Sequence, residues 1–229
     1  MRKDSPGRAI ALVLSTVLLA PAVSFASNPS PMQMPATRRE KLTPEQEAVN
    51  YFNDGTEYQE KASKLEKEIA TEADARKKEK LESKAKDKHE DAVKQFLKAT
   101  EKNPNFFQAW GSLGYSYRKI GNYPASLEAY NKSLAIQPGY TPAIEYRAEA
   151  LLGLNQVDEV KPAYMTLFRA DRARADELAA AIDKWLEKRK ADPAGLDPAK
   201  VEEFAKWAEE RKQAASRVSN LARPSDGRW

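Results

Sequence analysis

The sequence predicts an all-α protein built as a stack of helical hairpins, and three observations predict it. Glycine is scarce, 9 in 229 residues, while alanine, glutamate, lysine and leucine abound, a composition that favours helix. Residue types return every 34 positions: Phe96, Tyr130 and Tyr164; Ala92, Ser126 and Val160; Ala99, Ser133 and Leu167. Within one period there are two helical stripes. Trp110, Leu113, Gly114 and Tyr117 fall at i, i+3, i+4 and i+7, and Tyr123, Leu127, Tyr130 and Leu134 form a second face.

The chain opens MRKDSPGR, followed by an uncharged run whose densest apolar part is Ala9–Ala20. That core is about half the ~20 residues a spanning helix needs. Pro21 breaks it, and Ser24-Phe25-Ala26 offers small residues around a cleavage point. Residues 1–26 therefore read as a secretory signal peptide cut after Ala26, which places the mature protein outside the cytosol, most simply in a bacterial periplasm. The proline-punctuated stretch 27–42 reads as a disordered linker. The chain has 38 basic and 34 acidic residues; the leader carries three and one of these, leaving 35 and 33. Such a balance, with acids and bases alternating, describes solvated helix faces and argues against a nucleic-acid partner. With no cysteine there is no disulfide, thiolate metal site, iron–sulfur cluster or lipid attachment after the apolar core. No later segment is apolar enough to span a bilayer, so no stable membrane anchor is expected once the leader is removed.

The stack itself is expected over 43–172. Thr43-Pro44-Glu45-Gln46 is a capping box with proline at the first helical position. Tyr51, Gly55 and Tyr58 then take the places of Trp110, Gly114 and Tyr117, so 43–104 is a first repeat, but an expanded one. From Tyr117 to Ser126 the step is nine residues; from Tyr58 to Ala92 it is 34. The surplus lacks glycine and proline and is mostly Lys, Glu and Ala. Its apolar residues pair symmetrically: Tyr58 with Ala92, Leu65 with Ala85, Ile69 with Leu81. This predicts an antiparallel two-helix arm over about 59–90, folding near residue 75, projecting ~18 Å. A single unbroken helix through 44–102 is the competing arrangement. Ala62 faces Lys88, which predicts a weak seam there. His89, the only histidine, falls at the place of Tyr123 and Val157 and reads as an edge-packing residue.

Repeat two, 105–138, is the best formed. Gly114 and the small Ser126 permit close approach of its two helices, the aromatics fill the space between pairs, and Pro138 ends the unit. Gly121 and its counterpart Asn155 both tolerate the left-handed conformation that ends a helix. In repeat three, 139–172, Arg147 and Lys161 replace large apolar residues, which predicts looser packing; Pro162 is placed near the start of the second helix, where a missing N–H costs little. Residues 173–191 form a capping helix, apolar through Leu178, Ile182 and Trp185 and charged outside at Asp176, Asp183, Lys184, Glu187 and Lys188. A linker, 192–198, leads through Asp197 as cap into a C-terminal helix, 198–222, with a stripe at Val201, Phe204, Ala208, Ala215, Val218 and Ala222. Docking of this helix back on the stack is favoured over docking on a partner. The last residues, 223–229, read as a disordered tail.

The residues Trp110, Leu113, Gly114, Tyr117, Ser126, Tyr130, Ser133 and Pro138, at a 34-residue period, make the chain resemble the tetratricopeptide repeat (TPR) family, with about three repeats. The resemblance implies a superhelix whose first helices line a groove that binds peptides or proteins. On the face opposite the packing stripe, the groove positions would be Asn53 and Thr56 in repeat one, Gln108, Ser112, Tyr115, Arg118 and Lys119 in repeat two, and Glu145, Tyr146 and Glu149 in repeat three. One branch of the family grips terminal carboxylates with lysine, asparagine and arginine at set positions. Here only Asn53 hints at that set, because Ser112 and Tyr146 stand where asparagine and arginine would be, so that ligand is not carried over. Tyr115, on the groove face, is expected to be nearly neutral for stability, whereas Tyr130, on the packing stripe, is not.

No catalytic or metal constellation is visible. A lone histidine cannot supply a two-histidine metal site, and GSLG lies inside a helix without the lysine of a phosphate loop. The sequence therefore points to an exported, non-enzymatic adaptor with no cofactor, binding a protein or peptide in the cell envelope. The alternative is a structural spacer that self-associates through the arm and the last helix.

Overall fold

The computed structural model describes residues 41–221, so the leader, most of the 27–42 linker, Ala222 and the 223–229 tail lie outside the described residues. Eight helices follow in order among them: α1 (Pro44–Thr71), α2 (Ala75–Lys102), α3 (Phe107–Lys119), α4 (Tyr123–Ile136), α5 (Thr141–Gly153), α6 (Val157–Ala170), α7 (Arg172–Ala191) and α8 (Pro198–Leu221). Helices α1/α2, α3/α4 and α5/α6 are antiparallel hairpins. Each also packs on the next, and α1, α3, α5 and α7 are successive neighbours along one side. This is the predicted all-helical stack.

The starts and stops have local causes. Thr43 and Gln46 form the reciprocal capping box, with Pro44 in the first turn. Gly121 and Asn155 end their helices at φ of 83° and 61°. Asp197 accepts from the Ala199 N–H at 2.9 Å, which opens α8. The turn of the first hairpin is Glu72–Asp74, just before the predicted position, and excludes the single long helix. No glycine or proline makes it. Asp74 caps α2 by accepting from Lys77 N–H (2.9 Å), and Glu72 accepts from Asp74 N–H (2.9 Å).

Close approach between paired helices is fixed by glycine facing an aromatic ring. A Cβ on Gly55 would lie 2.6 Å from the Phe96 ring, and one on Gly114 would lie 2.7 Å from the Tyr130 ring. Ser126, small as required, also donates its hydroxyl to the Gly114 carbonyl at 2.8 Å.

Several expectations need correction. The first hairpin has two 28-residue helices against 13 and 14 residues in the second, an excess worth about 22 Å of helix. Much of that excess is not free. Gln59, Glu66 and His89 all touch α3 or its side chains, and the mostly exposed part begins only after Glu66 and ends before Ala85. The seam is closed at Ala62, which is fully buried, because Lys88 leans aside to pair with Asp91 (3.2 Å) and lie over the Tyr58 ring. Repeat three is not loose: Leu151, Val160, Tyr164 and Leu167 belong to the largest core, shared with α7 and α8. Arg147 and Lys161 do not enter that core. Arg147 reaches Asn131 (2.7 Å) and Glu159 (3.1 Å), and Lys161 reaches Glu203 (2.9 Å). Pro162 is the sixth residue of α6, beyond the four whose N–H groups lack helical partners, so it does remove one backbone bond.

Helix α7 does more than cap. It packs on both α5 and α6, and α8 packs on α7. Val201, Phe204 and Ala208 are buried, with Phe204 edge-on to Trp185 at 5.7 Å and Trp207 edge-on to Tyr164 at 5.6 Å. The C-terminal helix therefore docks on the stack.

Candidate binding groove

Helices α1, α3 and α5 enclose a cavity of about 290 Å³ on the side where they are neighbours. Its walls are Thr56, Gln59 and Glu60 from α1, Gly111, Ser112 and Tyr115 from α3, and Pro142, Ala143 and Tyr146 from α5; Tyr130 and Tyr140 complete it. The lining is mostly apolar, with four tyrosines. The hydroxyl of Tyr130 is buried beside Arg118 and Ser126. Gln59 locks α1 to α3 by donating to the Ser112 carbonyl (3.0 Å) and to Ser116 Oγ (2.8 Å).

Of the ten groove positions inferred from sequence, Thr56, Ser112, Tyr115 and Tyr146 line this cavity. Tyr115 and Tyr146 meet edge to face at 5.2 Å, and the Arg118 guanidinium lies over both rings at 5.3 and 5.1 Å. Arg118 pairs with Glu149, one helical turn beyond the tyrosines. Lys119 pairs with Glu66 at 2.6 Å and so ties α3 to the base of the arm. Glu145 is not on the groove surface. It is buried at 1 % exposure, pairs with Arg174 of α7, and burial pushes its carboxyl up to about 7 against the pull of that arginine. Asn53 is exposed on α1 and Gln108 half-buried on α3, and neither lines the cavity.

The sequence reading missed Gln59, Glu60, Gly111, Tyr140, Pro142 and Ala143. Gly111 had a signal: it stands one helical turn before Tyr115, where a Cβ would lie 3.0 Å from the Tyr140 ring. Tyr140 precedes α5 and rests edge-on against Phe107 at 5.0 Å; its position in a loop hid it from a helical template.

Behind Tyr115 lies a polar cluster that the sequence does not announce. His89 sits in the middle of α2, not at a helix entry, and is 2 % exposed. Its Nε2 donates to Glu66 Oε1 at 3.1 Å, and its ring meets Tyr115 edge-on at 5.8 Å. Burial alone would raise the Glu66 carboxyl, but hydrogen bonds from His89 and Lys119 outweigh it and hold it down to about 2. Burial pushes the Tyr115 hydroxyl up to about 12. Tyr115 is thus a packed residue with one face on the cavity, and its truncation is expected to cost stability. Among the described residues no cluster of three metal-ligating side chains occurs, and no helix is long and apolar enough to cross a membrane.

A stack of helical hairpins with a tyrosine-lined groove along its first helices defines the class of helical repeat scaffolds. Residues 107–140, the α3–α4 hairpin and its exit, match the family model of the tetratricopeptide repeat. No curated protein sequence matches the chain. Similar solved structures include the first TPR of Spaghetti (RPAP3) bound to the HSP90 peptide SRMEEVD, at 16% identity, covering 58% of this chain and 93% of that one, with a TM-score of 0.41. The first TPR domain of human RPAP3 is 16% identical, with coverage of 62% and 98% and a TM-score of 0.42. The MamA protein is 19% identical, with coverage of 66% and 78% and a TM-score of 0.29.

Proposed function

We propose that this protein is an exported, non-catalytic adaptor that holds an extended segment of a protein partner in the cavity between α1, α3 and α5. The observation that carries the reading is the cavity itself: a preformed concave site lined by four tyrosines, Tyr115, Tyr130, Tyr140 and Tyr146. Tyrosine rings supply apolar area at low entropic cost, and their hydroxyls with Gln59 and Ser112 supply hydrogen bonds to a peptide backbone. Export rests on the leader-like residues 1–26. A photo-crosslinking residue placed at Ser112, in cells, is expected to give adducts with a protein partner, whereas the same residue at exposed Lys98 gives none. Equal yields at both positions would remove the cavity from the reading. Amino-terminal sequencing of the exported chain is expected to begin at Ser27; retention of Met1 would remove export by cleavage.

A further inference from the structure

One helical turn past the tyrosines, the Arg118–Glu149 pair forms the near wall of a second cleft, of about 520 Å³. The other walls are the C-terminal turn of α5, the start of α4, α7 and the loop after it. Lys184, Lys188 and Arg189 of α7 face this cleft. Its single lining carboxylate is Glu149, already paired with Arg118. The acids on this stretch of α7, Asp183 and Glu187, lie on the other side against α8, where Asp183 pairs with Lys212. On this part of α7 the acids thus point away from the cleft, together with Lys190, and leave Lys184, Lys188 and Arg189 facing it.

Arg189 sets this cleft apart from ordinary surface lysines. It is 8 % exposed, and among the described residues it has no ion pair and no hydrogen bond. Its Nε is fully covered, and its guanidinium lies 6.0 Å from the Trp185 ring. The Trp185 Nε1–H is also buried without an acceptor. A buried cation without a counter-charge is disfavoured, and here it stands beside two more cations and a spare donor. Ala194, at the rim, holds a left-handed φ of 48°, a conformation that alanine adopts only under constraint.

We propose that this cleft is an anion site that receives acidic side chains of the same partner segment that occupies the tyrosine cavity. The proposal rests on the peptide-binding reading above for its occupant. Cavity and cleft are consecutive along α3 and α5: Tyr115 and Tyr146 line the first, and Arg118 and Glu149, three residues further on each helix, line the second. An extended segment anchored among the tyrosines reaches Lys184 and Lys188 within a few residues. Carboxylates arriving there meet two flexible ammonium groups, the Nη end of Arg189 and the indole N–H.

The probe is fluorescein-labelled tetraglutamate, titrated by anisotropy into the full mature chain, beside tetraglutamine. Tetraglutamate is expected to bind, more weakly as salt rises, and tetraglutamine is not. The K184Q/K188Q double variant changes exposed side chains, so the fold is retained, and the affinity is expected to fall roughly tenfold or more. Arg189→Met keeps the apolar stem and removes the buried charge. It should weaken the probe similarly while raising the melting temperature of the free protein, which a purely structural arginine would not do. Equal binding of tetraglutamine, unchanged affinity in the variants, or a lowered melting temperature for Arg189→Met with binding intact would each overturn the site. Displacement of the probe by inorganic phosphate at equal concentration would overturn the acidic-segment assignment in favour of a simple anion site. Ser112→Phe fills the tyrosine cavity and is expected to leave tetraglutamate binding unchanged, so failure of the cavity and failure of the cleft are read separately.

Discussion

The first hairpin and the last one close their seams by different means. Between α1 and α2 the contact is made by small residues, Ala48, Gly55, Ala62, Ala85 and Ala92, with Phe96 and His89 as the large side chains fully buried there. The helices approach closely, and their outer ends carry charge in place of core. Between α6, α7 and α8 the seam is wide and filled by rings and long aliphatics: Tyr164, Leu178, Ile182, Trp185 and Phe204. Close backbone approach gives a slender hairpin whose far end can extend beyond the stack. Broad burial of large side chains gives a thick, well-filled end, although α7 and α8 fall outside the matched repeat. This predicts that stability is concentrated at the C-terminal end, with the groove between the two regimes.

The largest expected effect tests that concentration. Phe204→Ala empties a fully buried ring site on α8 and should cost about 4 kcal/mol. If urea unfolding shows α8 detaching while the repeats keep their transition, the C-terminal end is an appendage and not the anchor of the stack. Next come two tyrosines that the sequence expected to differ absolutely and that the structure grades. Tyr130→Ala removes a fully buried ring seated on Gly114 and should cost about 3 kcal/mol. Tyr115→Ala loses contact with His89, Tyr146 and Arg118 and should cost about 2 kcal/mol. Thermal melts of the pair sharpen the comparison, and a Tyr115 variant as stable as wild type would return that residue to the free groove surface.

A smaller effect, of about 1 kcal/mol, belongs to the joint between arm and stack. The Glu66 carboxyl is held below its ordinary value in the folded protein, down to about 2, so its contribution is fully present above about 4.5 and fades as pH falls toward 2. Glu66→Gln should therefore be less stable than wild type at pH 6, with the difference shrinking across that window; a difference independent of pH would mean that the ion pair is idle. The smallest effect is expected at the arm's tip. Replacing exposed Arg76, Lys78 and Lys80 by alanine should change stability by no more than about half a kcal/mol, since no ion pair or hydrogen bond from those side chains occurs among the described residues. A larger loss in chemical denaturation would show that the arm is held by more than its seam.

The sequence by itself determined the helical class, the stacked hairpins and the residues that seat one helix on another. These follow from short-range rules: a stripe at helical spacing, a capping box at Thr43, a glycine facing a ring one period after another. It also marked four side chains that line the cavity, because they lie on the helix face opposite a recognisable stripe. What only the tertiary structure decided is which of the remaining polar side chains meet. Glu145 left the groove because Arg174, 29 residues away, arrives on α7 to pair with it. Gln59 joined the groove because the expanded first hairpin crosses α3 at that height. His89 became buried because Glu66 and Tyr115 converge on it from α1 and α3. Charges and amides carry no periodic signature, as any of several partners satisfies them equally well in the unfolded chain. The distances that select one partner exist only once the helices are stacked.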